Sequence, residues 1–442
     1  MLSDHDIRML LRAERIAMNG RGKVEPNPMV GCVLQKNGQT IGEGWHLAYG
    51  QSHAEPTALA DCAVRGNSPE GATAYVTLEP CCHTNKKTPP CAPRLIAAKV
   101  AHVVIGCLDP NPDVNGNGVA MLRAAGIEVE ELPDSPPLEG GAGGGVASKV
   151  DTFAHSTRLE PVPRPPTQPS PSRGEDCSSA RFRQLISPFT LGLNHRRPYV
   201  TMKWAQTSDG KVAGAFGDPV KITGDKADHA VHALRSRCDA IAVGTNTVVN
   251  DDPSLTVRHA PPMRLPIRVV LSNTLAFPPH AKLMSTADDV PTIVYTCDVA
   301  AIEHHTKVDL LRDEGVEVVA LPTHETPDRP GPGRFSFDDV LRDLYARKRV
   351  AHLLIEPGPT LVRQLLSRGQ ADRVWVFRSD EPMGDDDGLA IADAPPIDYA
   401  VTGSVRLGPD VLTEYLNPTS VAFHAAVPSA DFVLTRESPD AR

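Results

Sequence analysis

The sequence predicts an α/β protein of two sheet-and-helix units, and three observations carry that expectation. Strand-like and helix-like segments alternate through both halves of the chain, which implies sheets covered by helices on both faces. At 442 residues the chain is roughly three times the ~150 of a common domain, enough for two or three cores. Between the halves, Pro133 to Gly174 carries nine prolines and six glycines with almost no apolar periodicity, the composition of a disordered linker or insertion.

The first unit opens with an amphipathic helix from about Asp4 to Met18, followed by a strand at Met29 to Leu34. Asn37-Gly38 is the signal of a two-residue hairpin turn, and it returns Thr40 to Gly44 as the partner strand. Next come a helix from His53 to about Arg65, a strand Thr73 to Leu78, a helix after Pro90, a strand His102 to Cys107 and a helix near Val119 to Ala125. In the second unit Phe182 to Asn194 reads as a connecting helix, and Tyr199 to Trp204 begins a new set of strands. The helix Lys226 to Arg237 leads into strand Ala240 to Gly244. Strands are expected again at Ile267 to Leu271, Thr292 to Thr296 and Val350 to Ile355, the last feeding a helix that begins near Pro359. The chain thus divides into a first domain over 1–134, an insertion over 135–180, a connecting helix over 181–197, a second domain over 198–428 and a frayed tail over 429–442.

Composition narrows the function. Forty-five basic against 54 acidic side chains give a net charge of −9, which is no electrostatic footprint for nucleic acid. No apolar run approaches the ~20 residues of a membrane span, and the opening MLSDHDIRML is too charged for a signal peptide's core. The expectation is a cytoplasmic protein that meets neither nucleic acid nor membrane. Nine cysteines, an odd count, argue against a disulfide framework and leave thiols for metal or catalysis.

The strongest chemical signal is His53-Ala54-Glu55 followed by Pro80-Cys81-Cys82 and Cys91. One imidazole and two thiolates can hold a zinc ion with its fourth tetrahedral position left to water, the arrangement of a catalytic site. His53 and Cys91 both open helices, whose N-terminal fields favour a neutral imidazole and a thiolate. Glu55 is then placed to take a proton from water and return it to a leaving group. Two plainer readings stay open: Ser52-x-x-Glu55 is also a capping box, and Cys82 competes with Cys81, which is preferred because it directly follows Glu79-Pro80. His83 is a decoy ligand more in keeping with a loop.

HxE with a downstream PC…C pair is the signature of the zinc-dependent nucleoside and nucleobase deaminases. The spacing here is longer than theirs. The run Glu79-Pro80-Cys81-Cys82-His83-Thr84-Asn85-Lys86-Lys87-Thr88-Pro89-Pro90-Cys91 resembles the deaminase half of the bifunctional riboflavin-biosynthesis deaminase/reductases, as do Pro26-Asn27-Pro28-Met29-Val30-Gly31, Gly42-Glu43-Gly44-Trp45-His46 and Asp109-Pro110-Asn111-Pro112-Asp113. From Arg197 to about Asn417 the chain resembles that family's reductase half, in Pro198 to Lys203, Asp209-Gly210-Lys211, Asp239 to Gly244, Asn250 to Arg258 and Glu356 to Leu361. A GxGxxG fingerprint is absent, so a Rossmann domain is not the reading.

The resemblance implies a cytidine-deaminase-like three-layer α/β/α domain followed by a dihydrofolate-reductase-like α/β domain. It implies one catalytic zinc on His53, Cys81 and Cys91, with Glu55 as proton shuttle, and NADPH as second cofactor. Asn27, His46 and Lys87 would contact the pyrimidine or its 5′-phosphate in the first site. Arg235, Leu255, Arg258 and Glu356 would contact substrate in the second. Ala205, Lys221, Thr247, Asp251, Gly358, Pro359, Thr360 and Leu361 would surround NADP, although Lys221 stands where the family usually has an aromatic residue. The implied function is hydrolytic deamination of 2,5-diamino-6-ribosylamino-4(3H)-pyrimidinone 5′-phosphate and then reduction of the ribosyl to the ribityl side chain, by a homo-oligomer acting on small molecules. The alternative keeps the deaminase and leaves the second half as a binding or assembly module without hydride transfer.

Overall fold

The computed structural model describes residues 2–84, 88–133, 179–258, 265–324, 333–384, 387–391, 399–420, 428–429, 431–432 and 435. The insertion expected over 135–180 lies outside the described residues apart from 179 and 180. Lys87, Asp385 and Asp386 lie outside them as well.

In the first unit, helix α1 (Asp4–Ala17) starts at Ser3, whose hydroxyl accepts from the Asp6 amide while the Asp6 carboxylate accepts from the Ser3 amide at 2.8 Å, a capping box. Strands β1 (Gly31–Lys36) and β2 (Gln39–Trp45) form the expected hairpin, with Asn37 and Gly38 at φ of 50° and 75°. Then follow α2 (Ala54–Val64), β3 (Thr73–Val76), α3 (Cys91–Ala97), β4 (His102–Ile105), α4 (Asn117–Ala124) and β5 (Glu128–Glu131). The sheet order is β2-β1-β3-β4-β5, antiparallel across β2-β1-β3 and parallel across β3-β4-β5. Leu10 and Ala13 of α1 pack with Val33, Tyr75 and Val104 on one face. Ala58, Cys62, Leu95 and Leu122 of α2, α3 and α4 cover the other with Leu34, Val76 and Ile105. That is the three-layer α/β/α arrangement. Gly44 sets the approach of α2, because a Cβ there would lie 2.2 Å from the Ala58 amide nitrogen. Only glycine lets α2 lie this close to β2 and brings its N-terminus down to the end of the sheet.

The connecting segment is two helices where one was expected: α5 (Ser179–Leu185) and α6 (Ser187–His195). Pro188 has no amide hydrogen to continue the earlier helix and sits in the first turn of the new one. The Ser179 amide donates to the Pro133 carbonyl at 3.4 Å, so the two ends of the undescribed segment meet.

The second unit runs β6 (Tyr199–Gln206), β7 (Lys211–Ala213), α7 (Asp225–Arg235), β8 (Ala240–Gly244), α8 (Thr245–Asp251), β9 (Ile267–Leu271), α9 (Lys282–Ser285), β10 (Thr292–Cys297), α10 (Asp298–Glu303), α11 (His305–Asp313), β11 (Glu317–Leu321), α12 (Phe337–Lys348), β12 (His352–Ile355), α13 (Pro359–Leu366), β13 (Arg373–Ser379), β14 (Leu389–Ala390), β15 (Ala400–Leu407) and β16 (Asp410–Leu416). Its nine-stranded sheet has the order β11-β10-β9-β8-β12-β6-β13-β16-β15, with β15 and β16 forming the antiparallel end. Central strands such as β8 and β12 are apolar on both faces because both faces are covered. The stretch after Val376 supplies the last strands, β14 to β16, and the end of β13.

Of the tail expected to fray over 429–442, four residues are described. Ser429, Asp431, Phe432 and Thr435 are all buried. Phe432 lies against Gly403, where a Cβ would come within 2.6 Å of its ring. A short polar sequence reads as solvated, and only its distant arginine partners make this burial possible.

Candidate active sites

Helix α2 begins at Ala54 with His53 as its N-cap residue and no side-chain cap. This removes the capping-box reading: Glu55 is a first-turn residue, 3% exposed, and does not serve Ser52. His53 Nδ1 lies 3.7 Å from Cys81 Sγ and 3.5 Å from Cys91 Sγ, and the three ligand atoms fall within 4.8 Å of one another. A tetrahedral zinc with Zn–N of ~2.0 Å and Zn–S of ~2.3 Å places N and S ~3.5 Å apart. The residues present fit that ion. The other imidazole nitrogen, Nε2, is 3.2 Å from Thr88 Oγ1, which fixes the ring's orientation as outer partners of metal ligands do. Cys82 points away, its thiol on the Asp113 carbonyl at 3.8 Å, so Cys81 is the cysteine that faces His53.

Ionising both thiols here needs a cation beside them. The Cys91 thiol is pushed far up, first by its hydrogen bond with Cys81 and then by burial and Glu55. Two thiolates and a carboxylate cannot share so small a space unless a positive ion joins them. Glu55 is itself raised, chiefly by burial and then by Cys81, against the opposing pull of His53. A carboxyl moved up toward neutrality is suited to giving and taking a proton.

These groups open into a cavity of about 300 Å³ lined by Asn27, His46, His53, Glu55 and Cys81 among others. Asn27 and His46 are thus both brought to the cavity that holds His53 and Glu55. His46 is buried, its Nδ1 3.3 Å from the Pro28 carbonyl and its ring centroid 4.9 Å from that of His53. Tyr49, His83 and Phe189 also line the cavity, and Phe189 comes from α6, outside the first sheet. Sequence reasoning did not single out Tyr49 or Phe189, since nothing local marks them.

Glu79 was used only as a landmark, yet it holds the ligand loop. Its carboxylate accepts from the amides of Gly118 at 2.8 Å, Gly116 at 2.9 Å, Val119 at 3.1 Å and Asp109 at 3.2 Å, bracing Cys81 against the N-terminus of α4. Glu79→Gln turns an amide group toward these donors. The expected loss is about 2–3 kcal/mol of stability, measured by denaturant unfolding of zinc-loaded protein, together with weaker zinc retention.

In the second unit Arg235, from α7, meets Glu356 at the end of β12 in a two-pronged ion pair of 2.6 and 2.7 Å, and its third arm donates to the Thr256 carbonyl at 3.2 Å. Burial alone would raise Glu356, but Arg235 holds it down at about 2. Lys203, on β6, is half-buried beside this pair; burial lowers its ammonium pKa and Glu356 partly restores it. The sequence reading listed Lys203 only within a matching run. Leu255 is buried with φ of 48°, a strained backbone held by the Asn250–Arg258 loop. Arg258 is exposed, its amide on His232 Nδ1 at 3.2 Å.

Helix α13 starts at Pro359 with Gly358 as N-cap and no side-chain cap, so its first amides are open to phosphate oxygens. Thr247 Oγ1 stands 3.8 Å from where a Cβ on Gly358 would be, and Leu361 lies as close to the corresponding point on Gly244. These residues gather beyond the carboxyl ends of β8 and β12, where dinucleotides bind in open α/β sheets. Ala205 is on β6, next to β12, and pairs with Phe377; Thr247 and Asp251 lie on α8. Lys221 is not brought to this group: it is exposed, with its ammonium 3.1 Å from Asp225 and 3.5 Å from Asp228.

The chain matches the family model for the cytidine and deoxycytidylate deaminase zinc-binding region over residues 3–107 and the model for the RibD C-terminal domain over residues 198–413. It is 34% identical over 393 residues to riboflavin biosynthesis protein RibD of Aquifex aeolicus, covering 89% of this chain and 91% of that protein. It is 30% identical over 423 residues to the Escherichia coli RibD, covering 91% and 96%. Among solved structures, a Thermotoga maritima diaminohydroxyphosphoribosylaminopyrimidine deaminase/5-amino-6-(5-phosphoribosylamino)uracil reductase superposes with a TM-score of 0.69 at 29% identity, over 93% of this chain and 99% of that one. Acinetobacter baumannii RibD gives 0.65 at 28% identity, over 93% and 98%. With a zinc-ligand set at one end of its chain, a dinucleotide crevice at the other and relatives aligned along nearly its whole length, the chain belongs to the RibD family of bifunctional riboflavin-biosynthesis proteins.

Proposed function

We propose that the cavity beside His53 deaminates 2,5-diamino-6-ribosylamino-4(3H)-pyrimidinone 5′-phosphate and that the crevice beyond β8 and β12 reduces the deaminated product with NADPH. The observation that carries the reading is the spacing of His53 Nδ1 and the two sulfurs around a point beside a buried carboxylate, at the floor of a cavity sized for one small molecule. His53, Cys81 and Cys91 would hold the zinc, which when bound supplies the Lewis acidity that readies water for attack near neutral pH. Glu55 takes a proton from the attacking water and returns it to the departing amine, so that the C–N bond breaks, ammonia leaves and the carbon that bore the amino group becomes a carbonyl carbon. Asn27, His46 and Lys87 are assigned to the pyrimidine and its phosphate.

In the crevice, NADPH when bound supplies the hydride. C1 of the ribose takes it as the bond to the ring oxygen breaks, and that oxygen needs a proton. Lys203, whose ammonium feels Glu356 and Arg235, is assigned the role of proton donor. Arg235 retains two N–H groups that its bonds to Glu356 and Thr256 do not use, and with Arg258 these are assigned to the 5′-phosphate. Leu255 and Glu356 shape the sugar side. Ala205, Thr247, Asp251 and Gly358 to Leu361 are assigned to NADP; Lys221, already bound to two carboxylates, is left out.

On this reading residues 1–134 form the deaminase domain and 198–428 the reductase domain. The net charge of −9 supports a small-molecule substrate over nucleic acid, and the eight described cysteines, all free, support a cytoplasmic setting. No described helix is long and apolar enough to cross a membrane. Phe216, 97% exposed beside exposed Val220 and Leu389, supports self-association. The test is incubation of zinc-loaded protein with the diamino substrate, with and without NADPH, with products separated by mass. Deaminated product is expected in both arms and ribityl product only with NADPH. Deamination without any ribityl product would favour the module alternative.

A further inference from the structure

We propose that Asp431, near the end of the chain, is a positioning residue for deamination that acts through Arg21. The inference rests on the assignment of the first cavity to that reaction. Arg21 opens a tight loop whose other end is Asn27, with the Val24 amide on the Gly20 carbonyl at 3.1 Å and the Asn27 amide on the Val24 carbonyl at 2.9 Å. The same loop receives the amide of Tyr49 on the Lys23 carbonyl at 2.9 Å. Asn27 and Tyr49 both line the cavity. Whatever fixes this loop fixes two walls of the site.

Among the described residues, the partners of the Arg21 guanidinium lie in the second unit. It is 5% exposed and reaches into the second unit, Nη1 on Asp431 at 2.9 Å and Nη2 on His352 Nδ1 at 2.9 Å. Asp431 is 1% exposed and also takes Arg237 at 3.1 Å and Arg373 at 2.8 Å. Burial opposes its charge, but the three guanidiniums hold the carboxyl well below the ordinary range. Arg373 is tied in turn to Thr201 at 3.0 Å and Ser429 at 2.9 Å, and Ser429 to Glu414, so the carboxylate is seated in the second sheet's own framework. A second strut runs parallel, with the Arg349 guanidinium 5.8 Å from the centre of the Tyr49 ring. The loop that presents Asn27 is therefore braced from outside its own domain. Small displacements of groups that orient a substrate are costly in binding and rate.

The test uses the full-length, zinc-loaded protein. Arg21→Gln is the main variant, because it leaves Asp431 with Arg237 and Arg373. It should raise KM for the diamino substrate about tenfold, with zinc content and NADPH-dependent reduction of the deaminated intermediate unchanged. Arg21→Lys should recover part of the loss. Asp431→Asn should raise the same KM, and adding it to Arg21→Gln should raise KM no further, the mark of residues acting as one unit. A folded, zinc-loaded Arg21→Gln protein with wild-type KM overturns the proposal, and so do independent, multiplying effects of the two substitutions. If Asp431→Asn does not fold, Arg21→Gln decides alone. Wild-type protein that releases no ammonia would instead sink the assignment of the cavity itself.

Discussion

Glu55→Gln is expected to abolish ammonia release, by about 10²–10⁴-fold in kcat, with zinc still bound. The side chain keeps its shape and its place in the first turn of α2, so the ligands His53, Cys81 and Cys91 are undisturbed. What is lost is the group that moves protons. Glutamine can neither take the water's proton nor give one to the amine, and no second carboxyl stands among the described residues lining the cavity except Glu79 and Asp109. Glu79 is occupied by four backbone amides, and Asp109 Oδ1 accepts from the Asn111 amide at 2.9 Å. Metal analysis alongside the ammonia assay decides the matter. Full activity with zinc retained would remove Glu55 from the chemistry, whereas loss of zinc would recast it as a support of the ligand set.

The reductase half offers the second large effect. Lys203→Met should lower NADPH-dependent reduction by about 10²–10⁴-fold and leave deamination as it was. The sign of the pH dependence follows from which form donates. The ammonium is the proton source, so the wild-type rate is full below the Lys203 pKa and falls as pH rises through it. Burial sets that pKa below the ordinary lysine value of 10.5, and the fall therefore begins earlier than an exposed lysine would give. The methionine variant should show no such limb. A single-turnover pH profile with NADPH saturating is the measurement, and an unchanged descending limb in the variant would assign the titration to another group.

How much of this was legible in the chain depends on how far apart the cooperating residues lie. The hairpin at Asn37-Gly38, the helix after His53 and the ligands His53, Cys81 and Cys91 are written in local sequence, because turn chemistry, helix starts and metal ligands each leave a short-range mark. The Ser52-x-x-Glu55 pattern fits both a cap and a shuttle, and only the register of α2 and the burial of Glu55 separate the two. Cys81 is favoured on paper only by its place after Glu79-Pro80, and the direction each side chain takes from the loop is what separates it from Cys82. Lys203, Glu79 and Asp431 could not be read at all. Each draws its meaning from partners far along the chain: Glu356 for Lys203, the N-terminus of α4 for Glu79, Arg21 for Asp431. A buried charge is ordinary in sequence and becomes telling only once its counter-charges are placed.

The hydrogen bond between Ser179 and Pro133 carries a consequence for how such a chain can vary. Two backbone positions that touch are already closed, so whatever runs between them departs from and returns to one point of the fold. The free energy of closing a longer excursion grows only slowly with its length. Additions or deletions there leave the neighbouring helices and strands in place. A change in chain length between Pro133 and Ser179 is accordingly expected to leave both reaction centres undisturbed.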